Sequence, residues 1–262
     1  MGPTTRFPSA FCYRHWSTRY AGVALLILTT LVPASQKPSP SPPRPAAPPL
    51  NVALGQDATF GAAEFNYSDS AEQQPTVKNA SNKVKSSLAG AVLKVLAQMD
   101  TPNSSTIYAA QLLGTTFTIG GVAGASRKAV VTFKYDDYAA TEASAGDKSS
   151  AEATYTINAI VEKGAQIRGV PVARNTIFDL KAQVDRGPGH DVQGGNTNKN
   201  QESSITTVFT VGKTYTAAIQ VKADGTLKGK NGGGVQADGL NPTSDPTEPY
   251  QLTLKEISIR FE

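Results

Sequence analysis

Few side chains in this chain have the chemistry to act on a ligand, and they gather in stretches rich in Gly, Asn and Asp. The first stretch is Asp185–Glu202, DRGPGHDVQGGNTNKNQE, with His190 between Asp185 and Asp191. A serine-histidine-aspartate relay needs its histidine held by a rigid surround. Gly187, Pro188, Gly189 and Gly194 argue against that here. The same residues offer oxygen and nitrogen ligands to an ion. Asp224-Gly225 and Asp238-Gly239 add two carboxylates, though D-G pairs also serve as plain turns. Calcium is the one cofactor this set would admit, because it takes several oxygen ligands. The D-x-[DN]-x-[DN]-G calcium loop is absent. Asp185, His190, Asp191, Asp224 and Asp238 are therefore the candidate ligand-binding positions, and no catalytic or metal-ligating residue is nominated.

Two further constellations read as structure. Asp136-Asp137 pairs two acids, as glycoside hydrolysis requires, but that chemistry needs them facing each other across a cleft. Adjacent strand residues point to opposite faces, so a solvated strand end is expected. Gly120–Ser126, GGVAGAS, lacks the lysine of a phosphate loop and follows a β pattern, so it reads as a hairpin turn.

The segments that must hold these residues are set by composition and pattern. Of the 25 basic residues, Arg6, Arg14 and Arg19 lie in an acid-free N-terminal segment. Without them 22 basic residues face 21 acidic ones, a net charge of +1, which gives no basic surface for nucleic acid. Ala21–Val32 is an apolar run too short to span a membrane, and Val32-Pro33-Ala34 supplies small residues for cleavage. Residues 1–34 thus read as a secretory signal. Its loss would remove Cys12, the only cysteine, and leave a mature chain with no thiol for disulfides, zinc or nucleophilic catalysis. Residues 35–50 form a Pro-rich linker, with seven prolines in the fifteen residues Gln36–Leu50. Such a run is an extended spacer.

The folded part divides in expectation into 51–105, N-terminal strands with a helix, and 106–262, a β-sandwich. In Ser81–Met99 the residues Val84, Leu88, Ala91, Val92, Val95, Leu96 and Met99 fit one helical face, and Asp100-Thr101-Pro102 stops it. One amphipathic helix packed on the sandwich is the expectation. Seven strand patterns follow: Ile107–Ile119, Arg127–Tyr138, Ala151–Glu162, Val172–Val184, Ser203–Val211, Thr214–Ala223 and Tyr250–Phe261. The last is interrupted at Lys255-Glu256, as by a bulge. Ala139–Ser150, Asp185–Glu202 and Asp224–Pro249 read as long loops. The fold class is mainly β, an antiparallel sandwich of about seven to nine strands, immunoglobulin-like or jelly-roll-like.

Ser204–Asp224, SITTVFTVGKTYTAAIQVKAD, ties this together. Tyr215, Ala217, Ile219 and Val221 share one face, and Gly212 precedes Tyr215 by three residues. This G-x-x-Y at a strand start resembles the tyrosine corner of immunoglobulin-like and fibronectin type III-like sandwiches over about twenty residues. The resemblance implies a structural role for Gly212 and Tyr215, with the tyrosine hydroxyl bonded to backbone upstream. The opening Asn51-Val52-Ala53-Leu54-Gly55 looks like the first strand of discoidin-type carbohydrate-binding modules, but those depend on tryptophans and Trp16 is the only one here. The last strands also resemble bacterial fimbrial or surface sandwich subunits. The expected function is a non-catalytic secreted or cell-surface protein, extracellular or periplasmic, with a structural, assembly or ligand-binding role. Its partners would be a glycan, another surface protein or copies of itself, with no nucleic acid and no membrane span after signal cleavage. The alternatives are a polysaccharide-active hydrolase or lyase and a carbohydrate-binding module.

Overall fold

The structure is a computed structural model that describes residues 48–75, 82–101, 103–167, 175–229, 232–238 and 252–262. The signal segment, most of the Pro-rich linker, residues 239–249 of the last long loop and the first residues of the strands expected at Val172–Val184 and Tyr250–Phe261 lie outside the described residues. Thirteen strands are described. In chain order they are β1 (Leu50–Ala53), β2 (Ala58–Gly61), β3 (Tyr67–Gln73), β4 (Lys83–Ala89), β5 (Val92–Asp100), β6 (Ser105–Gly120) and β7 (Ser126–Ala145). They continue as β8 (Ser150–Lys163), β9 (Thr176–Val184), β10 (Gly189–Thr210), β11 (Thr214–Lys228), β12 (Gly233–Asp238) and β13 (Leu252–Phe261). The protein is thus mainly β, with more strands than the sequence pattern yields.

Two sheets form. The six-stranded sheet runs β1-β6-β11-β8-β9, with β3 also on β6. The seven-stranded sheet runs β10-β7-β12-β5-β13-β2, with β4 on β5 and β13 also on β7. Pairing is antiparallel except for β1 on β6. Strand alternation sends Ala129, Val131, Phe133 and Tyr135 of β7 and Tyr215, Ala217, Ile219 and Val221 of β11 into one core between the sheets. Phe117 anchors it, 5.7 Å from Phe60, 5.4 Å from Phe209 and 6.2 Å from Tyr215 between ring centroids. A small second cluster of Leu112, Ile160, Ile167 and Ala218 lies apart from this core, with Tyr67 packed on it.

The helix expected over Ser81–Met99 is absent: the segment is the β4–β5 hairpin. Leu93, Val95, Ala97 and Met99 are buried at period two, with Val92, Lys94, Leu96 and Gln98 less buried between them. Both faces of β5 carry apolar residues, so a helical stripe can be traced through a strand. The turn decides the outcome. Gly90 has φ +61° and opens a two-residue loop between the paired Ala89 and Val92, the position where type II′ hairpin loops need glycine.

Other expectations also change. Gly121–Ala125 is not a hairpin turn, since β6 and β7 belong to different sheets. The Val211-Gly212-Lys213 link likewise carries the chain from one sheet to the other. Gly212 has φ +76°, and the Tyr215 hydroxyl accepts the Thr210 amide at 3.0 Å. Ala139–Ala145 continues β7 and is no loop; its inward positions are Ala139, Thr141, Ala143 and Ala145, too small to mark a strand by hydrophobicity. The interruption at Lys255 is a bulge, as the pairing with β7 shifts between Leu254 and Glu256.

Candidate functional site

The candidate residues occupy strands more than loops. Only 185–188 connect β9 to β10, so His190 and Asp191 sit on β10 in a ladder with Ser144 and Ala143 of β7. His190 Nε2 lies 2.8 Å from Glu142 Oε1, and both side chains are exposed. Asp191 faces the other way, as alternation demands. It accepts the Gln183 amide at 2.8 Å and Gln193 Nε2 at 2.8 Å. Those bonds, the Gln183 amide foremost, hold its carboxyl below the ordinary pKa. Asp185 accepts Gln183 Nε2 on both oxygens at 2.8 Å. The three residues are therefore neighbours with separate partners. Among the described residues no three His, Cys, Asp or Glu side chains converge in a metal-holding group.

Asp224 lies within β11, which continues to Lys228 where a loop was expected. It pairs with Lys222 at 2.7 Å, and the Lys222 ammonium sits 5.6 Å from the Tyr108 ring centroid. Burial raises the pKa of Asp224 despite that lysine, and the charge of Glu152 adds to the rise. Asp185 and Glu152 line a shallow depression of about 190 Å³ with Gln183, Thr226 and Lys228. Asp238 ends β12, its backbone paired with Leu96 of β5 and Ala140 of β7. The structure thus brings Asp185 and Asp191 together around Gln183. His190, Asp224 and Asp238 lie on different strands.

Asp136-Asp137 does not end a strand, because β7 runs on beyond it to Ala145. Its two carboxyls take opposite paths. Asp136 is partly buried, yet Lys255 Nζ at 2.7 Å and the Asn200 amide at 2.6 Å outweigh that burial and lower its pKa. Asp137 is buried, and desolvation raises its pKa against one bond from Asn198 Nδ2 at 3.0 Å. Bulges on both flanking strands, Lys255 in β13 and Lys199-Asn200 in β10, converge here. Asn200 adopts φ +55°. The two acids point to opposite faces of the sheet and cannot flank one scissile bond.

A site the sequence does not announce lies across the seven-stranded sheet. Gln98 of β5, Gln236 of β12 and Glu142 of β7 are direct cross-strand neighbours. With Asp100, Ser144, Gly233 and Gly234 they line a groove of about 290 Å³. Gly234 sits between Asp100 and Ser144 in the next row, and its missing side chain leaves the depression. Ser144 Oγ accepts the Gly234 amide at 3.1 Å. Glu142 joins His190 to the groove's rim. The lining comes from three distant segments, each an ordinary polar position between buried Met99, Val235 and Ala143. No sequence spacing marks it.

The fold defines a two-sheet, sandwich-like β protein. No protein family matches the chain, and no curated protein matches it. Among solved structures, the enzymatically active domain of tailspike protein 4 from bacteriophage CBA120 aligns with 70% of this chain and 20% of its own, at 9% identity and a TM-score of 0.14. So low a score carries no inference about activity. No helix among the described residues is long and apolar enough to cross a membrane.

Proposed function

We propose that this is a non-catalytic secreted or cell-surface binding protein that takes a glycan in the groove over β5, β12 and β7. The carrying observation is the row Gln98–Gln236–Glu142 beside the gap at Gly234. Carboxamides donate and accept, carboxylates accept, and hydroxyls do both. That mixture matches the paired hydroxyls of a sugar. A volume of about 290 Å³ is at the small end for a ligand pocket and suits one sugar unit of a longer chain. The signal-like segment 1–34 and the Pro-rich linker 35–50 support display on a surface, as does the likeness of the last hairpin and final strand to bacterial surface sandwich subunits.

A glycan array followed by titration calorimetry tests this. Binding that is lost in a Gln98→Ala/Gln236→Ala double variant, at unchanged melting temperature, is the expected result. Binding that survives the double variant places the site elsewhere. Turnover of a polysaccharide by the purified protein would defeat the non-catalytic reading.

A further inference from the structure

We infer that the protein pairs with a second copy of itself through the outer edge of β10, centred on Ile205. This surface is separate from the groove. Among the described residues the other strand edges are short or carry charges or capped amides. β2 is four residues long, and β3 carries Asp69 and Glu72. β1 is four residues long. β4 carries Lys83 and Lys85, and the Ser86 amide is taken by Glu72 at 2.6 Å. The Gln183 amide of β9 is taken by Asp191. Charged residues and capped amides are the usual means of keeping strand edges from pairing. β10 differs beyond its second bulge. From Gln201 to Thr210 it pairs only with β7, in unbroken register, and Glu202 is its one charged residue.

The direction of its main-chain groups follows from the ladder. The Val211 amide donates to Ala125 O at 2.9 Å, so residue 211 exchanges hydrogen bonds toward β7. Hydrogen-bonded and non-bonded pairs alternate in an antiparallel ladder. The odd residues of this stretch therefore bond β7, and Glu202, Ser204, Thr206, Val208 and Thr210 aim N–H and C=O away from it. Thr210 confirms the phase, since its outward amide is the one taken by the Tyr215 hydroxyl. Among the described residues no such cap meets Ser204, Thr206 or Val208.

The open window is thus bounded by the bulge below Gln201 and the tyrosine cap at Thr210. Its four outward residues, 202 to 208, have their midpoint at Ile205. A two-fold axis there pairs Glu202 with Val208 and Ser204 with Thr206 of the other copy, giving about eight main-chain hydrogen bonds. No like charges meet. On the inner face Ile205, half-buried at the rim of the core, lies against Ile205 of the other copy. The two-fold register sets Ile205 against Ile205 and keeps the two Glu202 carboxylates apart, and these side-chain matches favour a second copy as the occupant.

Sedimentation velocity on the protein, loaded up to about 1 mM to populate the dimer of a small interface, should show a monomer–dimer equilibrium. Thr206→Pro removes an outward amide that β7 does not use, and edge strands tolerate proline there. It should abolish the dimer with little change in melting temperature. In a Cys12→Ser background, Ile205→Cys should cross-link to itself several times faster than Val208→Cys, although Val208 is the more exposed, at 56%. A wild-type protein that stays monomeric throughout, a dimer unaffected by Thr206→Pro, or Val208→Cys cross-linking as fast as Ile205→Cys would each overturn the inference.

Discussion

Gly90→Ala gives opposite signs for the two structures open to residues 81–99. In a helix, replacing an interior glycine by alanine stabilises by about 0.5–1 kcal/mol. In the hairpin, Gly90 has φ +61°, which alanine adopts poorly. A Cβ at this position would meet no atom within 4 Å, so no clash contributes and the effect is purely one of backbone conformation. Holding a non-glycine residue in such a region costs about 1–3 kcal/mol. The unfolded chain of the variant is less flexible, which returns about 0.4–1 kcal/mol. The net expectation is a loss of about 1–2 kcal/mol, or a melting point lower by about 2–8 °C for a folded part of this size. Urea unfolding of wild type and variant, compared at equal slope, measures it directly. A Gly90→Ala protein as stable as wild type, or more so, would refute the hairpin.

Tyr215→Phe keeps the ring contacts with Phe117 and Phe209 but deprives the Thr210 amide of its acceptor; it should cost about 1 kcal/mol by chemical denaturation and leave glycan binding unchanged. Asp137 has a raised folded pKa, so its charge opposes folding at neutral pH, and the opposition fades as pH falls through the folded value toward the unfolded one. Asp137→Asn should therefore melt higher than wild type at pH 7, with the difference closing as a melting series descends through the carboxylate range. Asp136 has the reverse sign: its lowered pKa stabilises above the unfolded value and is lost as pH falls through the folded one. Lys255→Met should raise that pKa, seen in an NMR titration of the Asp136 carboxyl.

The β class is legible in the sequence because β8 and β11 alternate clearly enough to be found within a few residues of their bounds, while β6 reads as a buried apolar run. Ser81–Met99 reads as a helix because β5 has apolar residues on both faces, so the helical and strand periods both fit it. The N-terminal half of β10, with Gly189, Gly194, Asn196, Asn198 and Asn200, reads as loop by composition. It is an edge strand with two bulges, where hydrophobic alternation is not needed for pairing. The late half of β7 hides behind buried alanines. Of the candidate site, His190 was picked out, while its partner Glu142 and the groove residues Gln98 and Gln236 were not. Cross-strand neighbours are fixed by register between segments far apart in the chain, as Gln98 and Gln236 are, and that register is invisible locally.

The path of the chain between its sheets governs when the protein can fold. β5 to β6, β6 to β7, β7 to β8, β9 to β10, β10 to β11 and β11 to β12 each change sheet. Neither layer can therefore be completed by a continuous run of chain. β11 must find β6, so that Thr216 pairs with Thr116. β13, the last strand in chain order, closes the other layer by pairing with β7, β2 and β5. A chain emerging amino end first holds this layer unfinished until β13 arrives. Such long-range closure folds slowly, in milliseconds to seconds.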